Sequence, residues 1–267
     1  MNNVLVAFGL TAIAALSTGI GSAIAFFTRK TNTKFLAVSL GFSAGVMIYV
    51  SFVEIFVKAQ TALSSSMGLK NGTIVTVLGF FGGMLLIALI DKLIPQESNP
   101  HELKDVPSNG APQAGQSQKL MRTGMFTALA IAIHNFPEGL ATFVSAMQSP
   151  SVAIPIVAAI AIHNIPEGIA VSVPIYYATG SRKKAFLYSF ASGLSEPIGA
   201  LIGYLILMPF MSDTVYGILF AAVAGIMVFI SLDELVPSAQ KYGEHHLSIY
   251  GLVAGMAVMA VSLLLFM

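Results

Sequence analysis

The sequence predicts an all-α, polytopic membrane protein of eight transmembrane helices, and three observations carry that prediction. Of 267 residues, 56% are hydrophobic and only 9% charged, with a mean hydropathy of +0.83, far from the makeup of water-soluble domains. Charged residues and Gly/Pro breaks divide the chain into apolar runs of about 20 residues, the length a helix needs to cross ~30 Å of hydrocarbon. The runs are continuous and rich in Leu, Ile, Ala and Gly rather than alternating in short strands. Helices, not a β-barrel, therefore satisfy the backbone in lipid.

The first helix is expected at about 4–27. Nothing basic precedes it, and its run is too long for the apolar segment of a cleaved leader, so it is expected to stay in place. Helices two and three follow at about 34–57 and 72–93, bounded by Lys34, Lys58, Lys70 and Lys92. Residues 94–120 are dominated by Pro, Ser, Gln, Asn and Gly and read as a flexible cytoplasmic linker without a core. His101 stands alone in that linker, too isolated for a stable metal site. Helices four to eight are expected at about 121–147, 152–178, 184–208, 214–239 and 247–266, making residues 1–267 a single transmembrane domain. The absence of cysteine excludes disulfides and thiolate ligands.

The net charge of +1 conceals an asymmetry between the two faces. Arg29, Lys30, Lys34, Lys92, Lys104, Lys119, Arg122, Arg182, Lys183, Lys184 and Lys241 fall in or beside the odd-numbered loops, against Lys58 and Lys70 on the opposite side. Eleven against two places the odd loops in the cytoplasm and both termini outside. Nothing in this charge pattern calls for nucleic acid.

Within the fourth and fifth runs stand two copies of one hexapeptide, His134-Asn135-Phe136-Pro137-Glu138-Gly139 and His163-Asn164-Ile165-Pro166-Glu167-Gly168. The flanking residues repeat as well, so two of twelve aligned positions differ between 130–141 and 159–170. Ionisable groups at membrane depth are expensive and mark sites or pathways. Glu138 shares a helix face with both His134 and Asn135 at spacings of four and three. Each helix thus offers a His/Glu edge and an Asn/Glu edge, and two antiparallel copies would form adjacent metal positions bridged by Glu138 and Glu167. Pro137 and Pro166 lack an amide N–H and free the carbonyls of Ile133 and Ile162. Imidazole, amide and carboxylate donors without thiolate suit Zn, Fe(II), Mn or Co and disfavour Cu(I).

A weaker echo aligns residues 44–54 with 224–234, where Ala, Gly, Met, Ser and Glu coincide. Both echoes fit one pseudo-two-fold axis in the membrane plane, with helices 1–3 mirrored by 6–8 around the central pair 4–5. Glu196, in Ser195-Glu196-Pro197, is a further candidate ligand, against the plainer reading of a carboxylate bonded to Ser192 or Ser195. Glu54, Asp233 and Glu234 sit near the expected ends of helices two and seven and read as stations on a transport pathway, or simply as interfacial acids meeting water.

The duplicated motif on consecutive helices of an eight-helix chain resembles the ZIP (Zrt/Irt-like) family of divalent metal transporters, in its compact bacterial ZupT-like branch. The resemblance runs along nearly the whole chain. It implies uptake of zinc, and of iron, manganese, cobalt or cadmium, into the cytoplasm through a mid-membrane binuclear site. One ion would be held by His134, Glu138, His163 and Glu167, the second by Asn135, Glu138, Asn164, Glu167 and Glu196, with Asp233 and Glu234 taking part in release. The expected partners are these divalent ions, the bilayer and, as an open option, a second copy in a homodimer; no catalytic cofactor is expected. Many members carry a His-rich loop between helices three and four, which here has only His101. Two alternatives stand beside this reading: a metal-selective channel of the same fold, and an intramembrane zinc-dependent hydrolase. The second is disfavoured because no His-Glu-x-x-His helix occurs.

Overall fold

The computed structural model describes residues 2–25, 33–93, 114–242 and 245–265, and among them every regular element is helical. His101 and the linker as far as residue 113 lie outside the described residues. The chain is a polytopic all-α membrane protein. In order, α1 is Asn2–Ala25, α2 Thr33–Val50, α3 Phe56–Met67, α4 Leu69–Leu93, α5 Ala114–Gln148 and α6 Pro150–Thr179. They are followed by α7 Arg182–Gly193, α8 Ser195–Ile202, α9 Asp213–Ile230, α10 Val236–Tyr242 and α11 His245–Leu265. Short π-helical segments, Ser51–Ile55 and Ser231–Leu235, join α2 to α3 and α9 to α10.

Seven spans among the described residues are long and apolar enough to cross a membrane. The helix expected as the fourth of eight, α5, is not one of them. Its first turns carry Gln116, Ser117, Gln118, Lys119 and Arg122, and the hexapeptide adds His134, Asn135 and Glu138, so its polar content is high. It also begins earlier than expected, since residues 114–120 are helical rather than linker. The last proline of that segment is Pro112, and the Gln, Lys and Leu beyond it are sound helix formers.

The second helix outruns its expected end at 57. The span Lys34–Met67 is continuous, because no Gly or Pro interrupts it between Gly45 and Gly68, and α3 turns Ala59 and Leu63 into the core. Gly68 then stops it at φ 81, a left-handed conformation open to glycine. Glu54 consequently lies inside a long helix rather than near its end. The same holds for Asp233 and Glu234, since α10 continues to Tyr242. The sixth helix breaks at Leu194 into α7 and α8, because Pro197 cannot donate to the carbonyl four residues earlier. By contrast α5 and α6 run through Pro137 and Pro166 without interruption.

Close backbone contacts repeat in pairs. Gly21 of α1 leaves room for the Ile165 carbonyl of α6, and Gly168 of α6 leaves room for the Thr18 carbonyl of α1. Between α8 and α5 the same lock recurs, with Gly199 against the Phe136 carbonyl and Gly139 against the Glu196 carbonyl. Phe136 and Ile165 hold the same place in the two hexapeptides, as do Gly139 and Gly168. A second pair of locks joins α2 to α11, where Gly45 meets Leu252 and Gly255 meets Phe42, and α9 to α4, where Gly225 meets Phe80 and Gly83 meets Ala222. Gly45 and Gly225 are equivalent positions in the helix-two and helix-seven echo, and Phe42 and Ala222 keep the same register two residues before its start. The two π segments also begin at equivalent residues, Ser51 and Ser231. Small residues that let backbones touch are how helices associate where lipid offers no hydrophobic drive between them.

The helices form two groups, α1, α5, α6, α7 and α8 in one, and α2, α3, α4, α9, α10 and α11 in the other, meeting chiefly where α2 packs on α6 and α9 on α5. An added Cβ at Gly45 or Gly225 would collide with a neighbouring backbone, whereas Gly82 has nothing within 4 Å. Gly45→Ala and Gly225→Ala are expected to lower stability in detergent by about 1–3 kcal/mol, the usual effect of overpacking. Thermal unfolding checks this, with Gly82→Ala as the variant that leaves the midpoint unchanged or raises it.

Candidate metal centre

α5 and α6 are joined by a short turn and run antiparallel, and this fixes how the hexapeptides face each other. Moving four residues along one helix advances about 6 Å up the axis, while the other helix counts downward. His134 therefore comes level with Glu167, and Glu138 with His163. His134 Nε2 lies 3.1 Å from Glu167 Oε2, and His163 Nε2 lies 3.2 Å from Glu138 Oε2. Both pairs are fully enclosed, each side chain being 0–1% exposed. Each motif supplies the partner that the other needs.

The amide layer is less symmetric. Asn164 Nδ2 donates to the carbonyl of Ala14 at 3.1 Å and to Glu196 Oε1. Glu196 is wholly buried and meets the second hexapeptide rather than Ser192 or Ser195, whose hydroxyls donate to the Ser189 and Ser192 carbonyls instead. Asn135 is equally buried, but neither its Oδ1 nor its Nδ2 has a partner. Nδ1 of both histidines, Oε1 of Glu138, Oδ1 of Asn164 and Oε2 of Glu196 are also buried without a protein partner. Seven such atoms in one place are unusual, because native interiors leave few polar groups unpaired. Six of the seven, the imidazole nitrogens and the amide and carboxylate oxygens, suit borderline divalent cations; the seventh, Asn135 Nδ2, is a hydrogen donor. Among the described residues, no three His, Asp or Glu side chains already converge as a ready-made ligand set; the imidazoles and carboxylates are engaged with one another.

Of the outlying acids, Glu54 forms an ion pair with Lys58 one helical turn away, both about one-fifth exposed. Glu234 is buried, whereas Asp233 beside it is exposed. The expected pair therefore separates, one member buried and the other exposed. Sequence reasoning missed Ser43 of α2, whose buried hydroxyl stands 3.3 Å from the His163 carbonyl and 3.5 Å from Glu167 Oε1. A lone serine in an apolar run carries no signal of its own.

The family description "ZIP Zinc transporter" matches residues 92–263. The chain belongs to this ZIP family. A protein named Zinc transporter ZupT in Streptococcus mutans is 68% identical over 260 residues, covering 97% of both chains. One of the same name in Clostridium perfringens is 65% identical over 278 residues, spanning 100% of this chain and 98% of its own. A third, from Lysinibacillus sphaericus, is 66% identical over 265 residues, with 98% of each covered. Membership in ZIP makes the chain a transporter and sets aside the intramembrane hydrolase.

The crossed contacts are measurable in this ZIP protein. In a double-mutant cycle on thermal stability in detergent, His134→Gln and Glu167→Gln are expected to couple by about 1.5–3 kcal/mol, the range of a hydrogen bond to a charged group. His163→Gln and Glu138→Gln should couple likewise, and strictly additive effects in both cycles would remove the cross-pairing.

Proposed function

We propose that this chain moves zinc into the cytoplasm, and accepts iron, manganese, cobalt and cadmium, through a two-ion site built from the paired hexapeptides. The observation that supports this best is the crossed contact of His134 with Glu167 and His163 with Glu138. One ion is held by His134, Glu138, His163 and Glu167; the second by Asn135, Glu138, Asn164, Glu167 and Glu196. Glu138 and Glu167 bridge the two.

The chemistry comes from what the pairs already are. A carboxylate and an imidazole about 3 Å apart can exchange their mutual contact for a shared cation with little movement. Release reverses the exchange, and the groups left behind find each other again. Buried charges therefore never face hydrocarbon unpaired, which would be strongly unfavourable. Glu234 and Asp233 lie toward the cytoplasmic side of this pathway, and Glu54 with Lys58 toward the outside. That orientation rests on the eleven-to-two division of basic residues, with the termini outside and residues 94–120 in the cytoplasm. A homodimer belongs to this reading on the family resemblance alone.

Three measurements test the proposal. Glu138→Ala and Glu167→Ala should each abolish zinc uptake into reconstituted vesicles while the protein still folds, and unaltered uptake in both would sink the assignment. Acid protonates the carboxylates and imidazoles from which the ion must displace protons, so the zinc concentration for half-maximal uptake should rise as pH falls from about 7 to about 5. Because the chain has no cysteine, single cysteines at Lys70 and Lys183 report orientation directly. An impermeant thiol reagent added to intact cells should label the first and spare the second.

A further inference from the structure

The paired glycine locks fix which residues correspond between α1 and α8. Gly21 and Gly199 receive the carbonyls of Ile165 and Phe136, and the carbonyls of Thr18 and Glu196 sit against Gly168 and Gly139. Thr18 is therefore the counterpart of Glu196. The sequence agrees once this register is known: Leu16-Ser17-Thr18-Gly19-Ile20-Gly21 aligns with Leu194-Ser195-Glu196-Pro197-Ile198-Gly199, with Leu, Ser, Ile and Gly in common. So does the local bonding, since Ser17 donates to the Ala14 carbonyl as Ser195 does to that of Ser192.

Glu196, locked against α5, reaches Asn164 on α6. By the same pseudo-symmetry Thr18, locked against α6 and with its side chain beside Gly193 of α7, holds the position that corresponds to one reaching Asn135 on α5. Its shorter side chain does not repeat the contact, and polar atoms of both residues are left without a partner. Thr18 is fully buried and its Oγ1 has no partner; Asn135 is fully buried and neither amide atom has one. An uncompensated buried hydroxyl or amide is costly, and here the unmet groups fall at related positions.

We propose that the Thr18 hydroxyl joins the Asn135 amide as a neutral oxygen donor to the second of the two transported cations, the uncharged counterpart of Glu196 beside Asn164. Resting on the two-ion reading above, this makes Thr18 a ligand or water-bridged ligand and gives it a role in setting the charge of the site. Glu138, Glu167 and Glu196 supply three negative charges against four positive charges on two divalent ions. A carboxylate at Thr18 would complete the balance and hold both ions firmly. The neutral hydroxyl leaves the two-ion site one negative charge short in a low-dielectric interior, and its ions so more readily released.

The experiment compares Thr18→Val, Thr18→Ser and Thr18→Asp with the native chain in two readouts. These are equilibrium zinc binding to the purified protein in detergent and initial uptake rates in vesicles. Thr18→Val keeps the shape and removes the hydroxyl; the weaker-bound zinc should lose about five- to tenfold in affinity, as for the loss of one net polar contact, with the tighter one unchanged. Thr18→Ser should restore native binding, which a packing role would not. Thr18→Asp should tighten the weaker ion and lower the maximal uptake rate. Native binding isotherms and native uptake in both Thr18→Val and Thr18→Asp would overturn the proposal. Should Thr18→Val fail to fold, the Asp variant decides alone: unchanged affinity and rate would overturn it. Failure here leaves the glutamate test untouched, since Glu138→Ala and Glu167→Ala probe whether the hexapeptides carry zinc at all.

Discussion

Ionisable side chains deep in a membrane protein must find their partners inside the protein, and the crossed pairing of two histidines with two glutamates is how this chain meets that requirement. The pairing works only because the motif occurs twice on antiparallel neighbours. A single His-x-x-x-Glu helix would bury an imidazole and a carboxylate on one face with nothing across from them. A parallel copy would set His against His and Glu against Glu. Antiparallel duplication sets each against its opposite, which is why α5 and α6 are adjacent in sequence and joined by so short a turn.

The rest of the fold holds that pair in register. Gly139 and Gly168, which end the two hexapeptides, are the points where α8 and α1 press their backbones onto α5 and α6. The residue that closes each motif is thus also the one that seats its helix. From the other side α2 brings Ser43 to Glu167. A π turn carries an extra residue and so rotates the helix beyond it. Here it leaves Glu234 buried and Asp233 exposed, where an expectation based on sequence neighbours treated the two alike.

How much was legible in advance depended on the range of the signal. The membrane class, the helical character and the hexapeptides are written in composition and in short identical strings. The echo between helices two and seven survives because packing glycines and the Met-Ser-Glu positions were kept in both. Helix ends were less legible: residues 58–67 lack any breaker, so the second helix continued past the lysine that had served as its boundary. The partner of Glu196 was not legible, because Asn164 reaches it across a helix interface that no local spacing encodes. The equivalence of Thr18 with Glu196 was present in Leu-Ser-x-x-Ile-Gly but too faint to separate from chance. It needed the backbone locks to give it register.

A site built on a pseudo-two-fold axis faces a further constraint, for a perfectly symmetric one would present the same ligands and the same field to both sides of the membrane. The structure departs from symmetry at positions that surround the site while keeping the four crossed residues identical. Ser43, beside Glu167, corresponds to the buried Val223. Thr18 corresponds to Glu196. Lys58, paired with Glu54, corresponds to Ser238, four residues after Glu234. Each exchange alters charge or hydrogen bonding on one side only, and they lie on α1, α2 and α3 against α8, α9 and α10. In the proposed function the central pair supplies an ion-binding chemistry indifferent to direction. The flanking repeats, free to diverge because their packing glycines hold the geometry, would then make the approach proposed for one face electrostatically different from the departure proposed at the other.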